Sequence, residues 1–185
     1  MSSVVAAILP SATEVANVRP KVSEVFQAEY SYVSNTLRRL GVREADLEDV
    51  AHEVFLAVHR RLSTYDPSRP LRPWLFGIAF RAASDYRRLA RHHREVSDEH
   101  IDVADDAPGA DDHVFARQAR ELVGKALDVL DLDKRAVLVM CDIDGHSVPE
   151  IAAALNIPLN TAYSRLRLAR AQFTSVITAL EGGKR

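Results

Sequence analysis

Ser147-Val148-Pro149-Glu150-Ile151-Ala152-Ala153-Ala154-Leu155-Asn156-Ile157-Pro158-Leu159-Asn160-Thr161-Ala162-Tyr163-Ser164-Arg165-Leu166-Arg167-Leu168-Ala169-Arg170 reads as two helices joined by a tight turn. Ser147 is placed to cap a helix start, and Glu150, three residues on, to bond back to the cap amide. Ile151, Ala152 and Leu155 supply the apolar stripe of the first helix. Asn156-Ile157-Pro158 then breaks the pattern, and Asn160-Thr161 offers a cap for the second. The segment is a helix-turn-helix.

On a helical wheel the second helix collects Ala162, Leu166, Ala169 and Phe173 on one side, while Asn160, Ser164 and Arg167 point directly away, flanked by Tyr163 and Leu168. No acidic residue occurs from position 151 to 180, whereas Arg165, Arg167 and Arg170 do. Positive charge therefore lies where phosphates and major-groove base edges meet a recognition helix. Double-stranded DNA is the partner this segment points to; the plainer alternative is a solvated amphipathic helix in an all-helical domain.

The whole chain has room for one large or two small domains: 185 residues, of which 47% are apolar, are enough for real cores. Net charge is only −2, but it is segregated. Residues 81–94 carry five arginines against Asp85, and residues 95–113 carry eight carboxylates with no Lys or Arg. The acidic stretch includes Pro108-Gly109 and few large apolar residues, so a flexible, solvated linker is expected there. The expected organisation is an N-terminal extension over residues 1–20, a first domain over 21–94, the linker over 95–113 and a second domain over 114–185. The apolar run at residues 4–9 is too short for a membrane span and has no basic segment before it, so neither signal peptide nor anchor is expected and the chain reads as cytoplasmic. Cys141, the only cysteine, excludes an intramolecular disulfide and a multi-cysteine zinc site, and reads as a small buried hydrophobe.

Helical periodicity dominates elsewhere. Leu47, Val50, Ala51, Val54, Val58 and Leu62 share a stripe, as do Leu75, Ile78, Ala82, Tyr86 and Leu89, and later Leu122, Ala126 and Val129. Breaks at Gly41, at positions 66–73, in the linker, near Asp131 and at Asp144-Gly145 divide the chain into about three long helices before the linker and four after it. In the helix from about Pro73, the face opposite the apolar stripe carries Phe80, Ser84, Arg87 and Arg91, with Arg81 and Arg88 nearby and Trp74 at the edge. An aromatic on a basic face suits single-stranded or opened DNA, because arginines follow the backbone while rings stack on unpaired bases. The alternative makes Phe80 a core residue and the arginines a solvated face.

The order of these parts resembles the extracytoplasmic-function (ECF) sigma factors of bacteria, over residues 26–180. The resemblance rests on Asp49-Val50-Ala51-His52-Glu53-Val54-Phe55, similar to the family's Asp-x-x-Gln-Glu-x-Phe, and on Trp74-Leu75-Phe76-Gly77-Ile78-Ala79 followed by Asp85-Tyr86-Arg87-Arg88. It rests further on Gly145-His146-Ser147 through Ile151-Ala152, and on Asn160-Thr161-Ala162-Tyr163-Ser164-Arg165-Leu166 through Ala169-Arg170. It implies a non-enzymatic, two-domain, all-helical subunit that binds core RNA polymerase and promoter DNA, with no cofactor or metal. Asp49, His52, Glu53, Leu56 and Arg60 correspond to the polymerase-docking face. Residues 66–73 correspond to a loop receiving a flipped minus-ten base, aided by Arg61, Tyr65 and Arg81. The minus-ten set is then Arg61, Tyr65, Ser68, Arg69, Arg72, Trp74, Phe80, Arg81, Ser84, Arg87, Arg88 and Arg91. The minus-thirty-five set is Asn160, Thr161, Tyr163, Ser164, Arg165, Arg167, Leu168 and Arg170. The family also implies an anti-sigma factor as a separate partner.

His52 stands where the family often has Gln, Arg81 where it has Asn, and Phe80 where Arg is common, so the preferred flipped base is open. Asn160 for a frequent Gly and Leu168 for a frequent Arg alter one contact of the second domain. Three other classes compete, one of them a pure interaction module, which the segregated arginines disfavour. A polymerase-independent helix-turn-helix repressor or activator explains the second domain but gives the Trp74 to Arg91 surface no task. A metal-dependent hydrolase or sensor is suggested by His52-Glu53, His92-His93 and the linker carboxylates, but adjacent histidines on a helix point about 100 degrees apart and no His-Glu-x-x-His occurs.

Overall fold

The structure, a computed structural model, describes residues 20–96 and 114–182. Among these, the regular elements are all helical. The first domain is α1 (Val22–Arg39), α2 (Leu47–Arg61) and α3 (Leu71–Val96); the second is α4 (Val114–Asp128), α5 (Leu132–Leu138), α6 (Val148–Leu155) and α7 (Leu159–Gly182). The N-terminal extension before residue 20 and the acidic linker lie outside the described residues, except that α3 runs on through residues 95 and 96.

Local signals set the helix ends. The Lys21 amide donates to the Glu24 carboxylate at 2.9 Å, opening α1. At its far end Gly41 adopts φ +90°, and the amides of Gly41 and Val42 donate back to Arg38 and Leu37, satisfying carbonyls the helix leaves open. α3 begins at Leu71, two residues before the expected start, and Pro73 sits in its first turn. A missing N–H costs nothing there, because first-turn amides have no intrahelical acceptor. α5 is capped by Asp131, which accepts from the Lys134 amide at 2.8 Å, and its last turn loosens into a π turn over Val139–Ile143. That turn delivers Asp144 and then Gly145, at φ +76°.

In the first domain the stripe of α2 (Leu47, Val50, Ala51, Val54, Val58), with Leu62 just beyond it, is buried against Val33 and Leu37 of α1 and Leu75, Phe76 and Ile78 of α3. Phe76 is fully enclosed, and truncating such a ring to Ala costs about 3–5 kcal/mol. In the second, Val137, Leu138 and Met140 share a cluster with Ile151 and Leu155 of α6 and Leu166 and Ala169 of α7, and Ala162 of α7 is also buried. Two expected stripes shift. Val129 is exposed and Leu127 and Leu130 are buried instead, because α4 stops at Asp128 and the chain turns before Val129 continues the helical face. On α3, Leu89 is exposed and Ala82 and Tyr86 half-buried, whereas Phe76, Ala79 and Ala83 are fully buried.

The reason for the second shift is that α3 is covered on two sides. The buried residues of both domains form one continuous cluster. α6 lies on α3 so closely that a Cβ on Gly77 would stand 2.4 Å from the Ala154 carbonyl oxygen, a distance only glycine permits. Arg135 of α5 is buried beside Gly41 and Arg87 of the first domain, its guanidinium donating to Asp128 at 3.1 Å. Burial pulls the Arg135 guanidinium below its ordinary value; Asp128 opposes this and Arg87 adds to it.

Candidate nucleic-acid interface

The helix-turn-helix forms from the signals in its sequence. The Glu150 carboxylate accepts from the Ser147 amide at 2.8 Å and from its hydroxyl at 2.6 Å, and these bonds hold the Glu150 carboxyl below the usual range. Asn156 takes the left-handed conformation, φ 54°, and the Asn156 and Ile157 amides donate to Ala153 and Ala152. Asn tolerates that conformation through its short polar side chain. α7 begins at Leu159, with Ala162 donating to the Pro158 carbonyl, so Asn160 and Thr161 lie inside its first turn and do not cap it.

The outward face of α7 stands as expected: Asn160, Tyr163, Ser164, Arg167 and Leu168 are exposed and Thr161 half-buried. Its arginines are not equivalent. Arg165 pairs with Asp133 of α5 at 2.6 Å. Arg170 makes a two-pronged contact with Asp142, Nε donating at 3.0 Å and Nη2 at 2.6 Å, and this holds the Asp142 carboxyl below its usual range. Arg167 makes no ion pair among the described residues. The surface charge of the recognition helix is thus concentrated on Arg167, with Arg165 and Arg170 locked to acidic residues that a sequence wheel cannot place beside them.

On the first domain, Asp49, His52, Glu53, Leu56 and Arg60 are all exposed along one face of α2, with Leu56 46% exposed. Phe26 and Tyr30 of α1 extend that face: both are exposed, and Phe26 packs edge-on against Phe55 at 4.7 Å between centroids. The sequence reading missed these two; their four-residue spacing on one helical face was the available signal.

The loop before α3 is internally braced. Asp66 accepts from the Ser68 amide and hydroxyl, at 3.0 and 2.7 Å, which keeps its carboxyl below the usual range, and Arg69 lies 3.5 Å from it. Tyr65 is only 6% exposed, packs tilted against Trp74 with ring centroids 5.1 Å apart, and donates its hydroxyl to the Arg69 carbonyl. Trp74 is half-buried. Arg72 pairs with Glu29 at 3.0 Å and lies over the Tyr32 ring. Arg61 and Arg81 are exposed, and Arg88 pairs with Asp85 at 3.1 Å. The stripe of Phe80, Ser84, Arg87 and Arg91 faces the second domain. Phe80 is half-buried against the core, Arg87 donates to the Leu40 carbonyl at 3.3 Å, and Ser84, Arg87 and Arg91 line a cleft with Asp131, Leu132 and Asp133. Among the described residues no cluster of His, Cys, Asp or Glu is arranged to hold a metal ion, and no helix is long and apolar enough to cross a membrane.

Residues 25–93 match the sigma-70 region 2 family and residues 120–173 the sigma-70 region 4 family. The RNA polymerase sigma factor CnrH of Cupriavidus metallidurans is 32% identical over 155 residues, covering 80% of this chain and 81% of that protein. The chain belongs to the ECF family of sigma factors. The ECF sigma factor SigE of Mycolicibacterium smegmatis is 32% identical over 168 residues, covering 90% of this chain and 61% of that protein. Among solved structures, CnrH in complex with the cytosolic domain of CnrY superposes with a TM-score of 0.57 at 29% identity, over 85% of this chain and 88% of that one. The sigma factor RpoE of Bartonella quintana, in complex with the anti-sigma factor NepR, shares the fold, with a TM-score of 0.64 at 19% identity over 84% of this chain and 96% of that one. The region 2 match covers α1 to most of α3, and the region 4 match covers the helix-turn-helix.

Proposed function

We propose that this ECF sigma factor binds core RNA polymerase through the face of α2, takes the minus-ten element on the loop before α3 and on α3 itself, and reads the minus-thirty-five element with α7. The observation that carries the reading is one chain in which an exposed acidic and apolar face, a basic aromatic helix and a helix-turn-helix with an exposed outward Arg167 occur in the order of the two matched regions. Asp49, His52, Glu53, Leu56 and Arg60 dock polymerase, with Phe26 and Tyr30 adding apolar area at the edge of that contact.

The internal bonding of the loop divides the minus-ten set. Tyr65 and Arg72 position the loop from below, since their polar groups are already engaged. Ser68, Arg69, Trp74, Arg61 and Arg81 are left to meet the opened strand, with Phe80, Ser84, Arg87, Arg88 and Arg91 following it along α3. Extruding a base costs a few kcal/mol, and a braced loop beside aromatic and basic groups is the setting that returns it. In the second domain Arg167 reads base edges together with Asn160 and Ser164; Thr161, Tyr163 and Leu168 flank it; Arg165 and Arg170 position the helix through α5 and the π turn. The site of action is the cytoplasm, and a separate anti-sigma factor is the regulatory partner, as the complexes of CnrH and RpoE support.

The test compares capture of genomic fragments by the chain alone, by core polymerase alone and by both. Specific capture only by the pair is the expected result. Tight specific capture by the chain alone, unchanged by polymerase, assigns it instead to the polymerase-independent regulators.

A further inference from the structure

We infer that Leu168 is a specificity-determining residue of the duplex-reading face, and that it reads the C5-methyl group of a thymine in the major groove. The inference rests on the reading of α7 as the recognition helix and names one base that this helix selects. Leu168 is 40% exposed, next in sequence to the outward Arg167 and one turn on from the exposed Ser164. An exposed leucine is ordinary on a protein surface. This one is set inside a reading face, on a helix with no acidic residue before position 181.

The packing of α7 fixes where Leu168 stands. Leu166 and Ala169 are buried, and Arg165 and Arg170 are tied to Asp133 and Asp142, each at 2.6 Å. The helix therefore cannot roll to bury Leu168 without giving up core contacts and both ion pairs. The neighbours of Leu168 along the outward surface are small: Ser164 lies four residues before it and Ala171 three after, and both are exposed. With so little bulk on either side, the helix can approach the base edges closely here, and the isobutyl group of Leu168 enters the groove ahead of these two neighbours.

What Leu168 can read follows from its chemistry. Its side chain has neither donor nor acceptor, so it cannot match the hydrogen-bonding groups that distinguish guanine, adenine and cytosine. The apolar group that a base edge presents in the major groove is the thymine methyl. Contact with it removes apolar surface of both partners from water. Any other base there leaves the leucine against polar atoms, displacing their water without replacing their hydrogen bonds. Tyr163, also exposed on this face, ends in a hydroxyl able to donate to a phosphate, so it has a polar contact to make where Leu168 has none. Adjacent residues on a helix point about 100 degrees apart, so Leu168 and Arg167 address different bases. The arginine fork suits a guanine, and the leucine a thymine close to it.

The test uses the full-length chain with core RNA polymerase on a duplex fragment that the pair captures, at low temperature, where the strands stay paired. Each thymine of the upstream element is replaced in turn by deoxyuridine, which lacks only the methyl group. Competition binding is measured for the parent chain, Leu168→Ala and Leu168→Met. One replacement is expected to weaken the parent about threefold to fivefold, the change produced by withdrawing about one buried methyl group. Leu168→Ala should lose the response to deoxyuridine at that position, with its melting temperature hardly moved, because the site is exposed. Leu168→Met, still long and apolar, should keep the response. No penalty from any replacement, an upstream element without thymine, or a penalty that Leu168→Ala leaves unchanged overturns the inference, while discrimination lost in Arg167→Ala keeps α7 as the reading helix. If neither Arg167→Ala nor scrambling the upstream element changes binding, α7 does not read duplex and the inference falls with that reading. Equal losses by Leu168→Ala on thymine and deoxyuridine duplexes, matched by weaker binding to core polymerase without DNA, make Leu168 a polymerase contact and also overturn it.

Discussion

Asp142→Ala tests how charge is distributed on the recognition helix. Arg170 is held by Asp142 in a two-pronged contact, yet its side chain is 54% exposed and that of Asp142 35%. An ion pair this open to solvent contributes at most about 1 kcal/mol, so the variant should fold normally. Removing the carboxylate releases one guanidinium onto the flank of α7, where it can neutralise one additional phosphate. Each phosphate neutralised adds about 0.9 to the slope of log affinity against log salt, so a fourfold rise in salt should weaken the variant about 3.5-fold more than the parent chain. The assay is fluorescence anisotropy of the full-length chain on a labelled duplex at a series of salt concentrations. Because phosphate contacts carry no sequence information, cognate and scrambled duplexes should show the same steepening. A slope equal to that of the parent protein, with the fold intact, would show that Arg170 does not approach DNA even when free, and that its role is confined to bracing the π turn.

Arg167→Ala should cost about 1–3 kcal/mol of discrimination at one base pair in competition binding, because it is the arginine on the outward face that makes no ion pair among the described residues; equal losses on cognate and scrambled duplex remove it from the reading set. Leu56→Glu should weaken core polymerase binding at least about tenfold, or 1.4 kcal/mol, while the melting temperature hardly moves, since an exposed site changes stability by about 0.5 kcal/mol or less; co-purification and calorimetry check both halves. Acid unfolding should show the Ser147 to Glu150 box. Its hydrogen bonds depress the folded pKa of Glu150, so the stability it adds is complete above the unfolded glutamate value of about 4.3 and is lost as pH falls through the lower folded value. Glu150→Gln should therefore reduce stability at neutral pH and flatten the acid limb, as read by urea titrations across pH. Asn156→Val should destabilise by about 1–2 kcal/mol in the same titrations, whereas Asn156→Gly stays near neutral, because φ 54° is open to glycine and strained for a β-branched residue.

The helix-turn-helix was legible because its determinants are local. Ser147 and Glu150 meet within one turn, Asn156 sets its own backbone, and the Ala162, Leu166, Ala169 face needs only helical spacing. The α2 stripe was legible for the same reason. What escaped the sequence depends on elements far apart in the chain. A wheel of α3 identifies one core face and leaves open whether Phe80 is free or buried; the approach of Ala154 to Gly77 and the packing of Phe80 on the core show a second covered face. Arg165 and Arg170 count as positive charge until Asp133 and Asp142 are placed beside them. The resemblance places Tyr65 beside a flipped base, and the fold packs its ring on Trp74 and commits its hydroxyl to the loop carbonyl of Arg69. In each case, the residue type was read correctly and its partner was missing.

The most direct measurement of the proposed role is reconstituted transcription from a fragmented genomic library, with core RNA polymerase alone, the chain alone and the two together, mapping start sites and scoring unpaired bases by permanganate. Starts clustered downstream of a shared pair of elements, with opened bases at the upstream edge of each bubble only when both components are present, are the expected result. Random or absent initiation by the pair, beside tight site-specific duplex binding by the chain alone, contradicts a polymerase-dependent role.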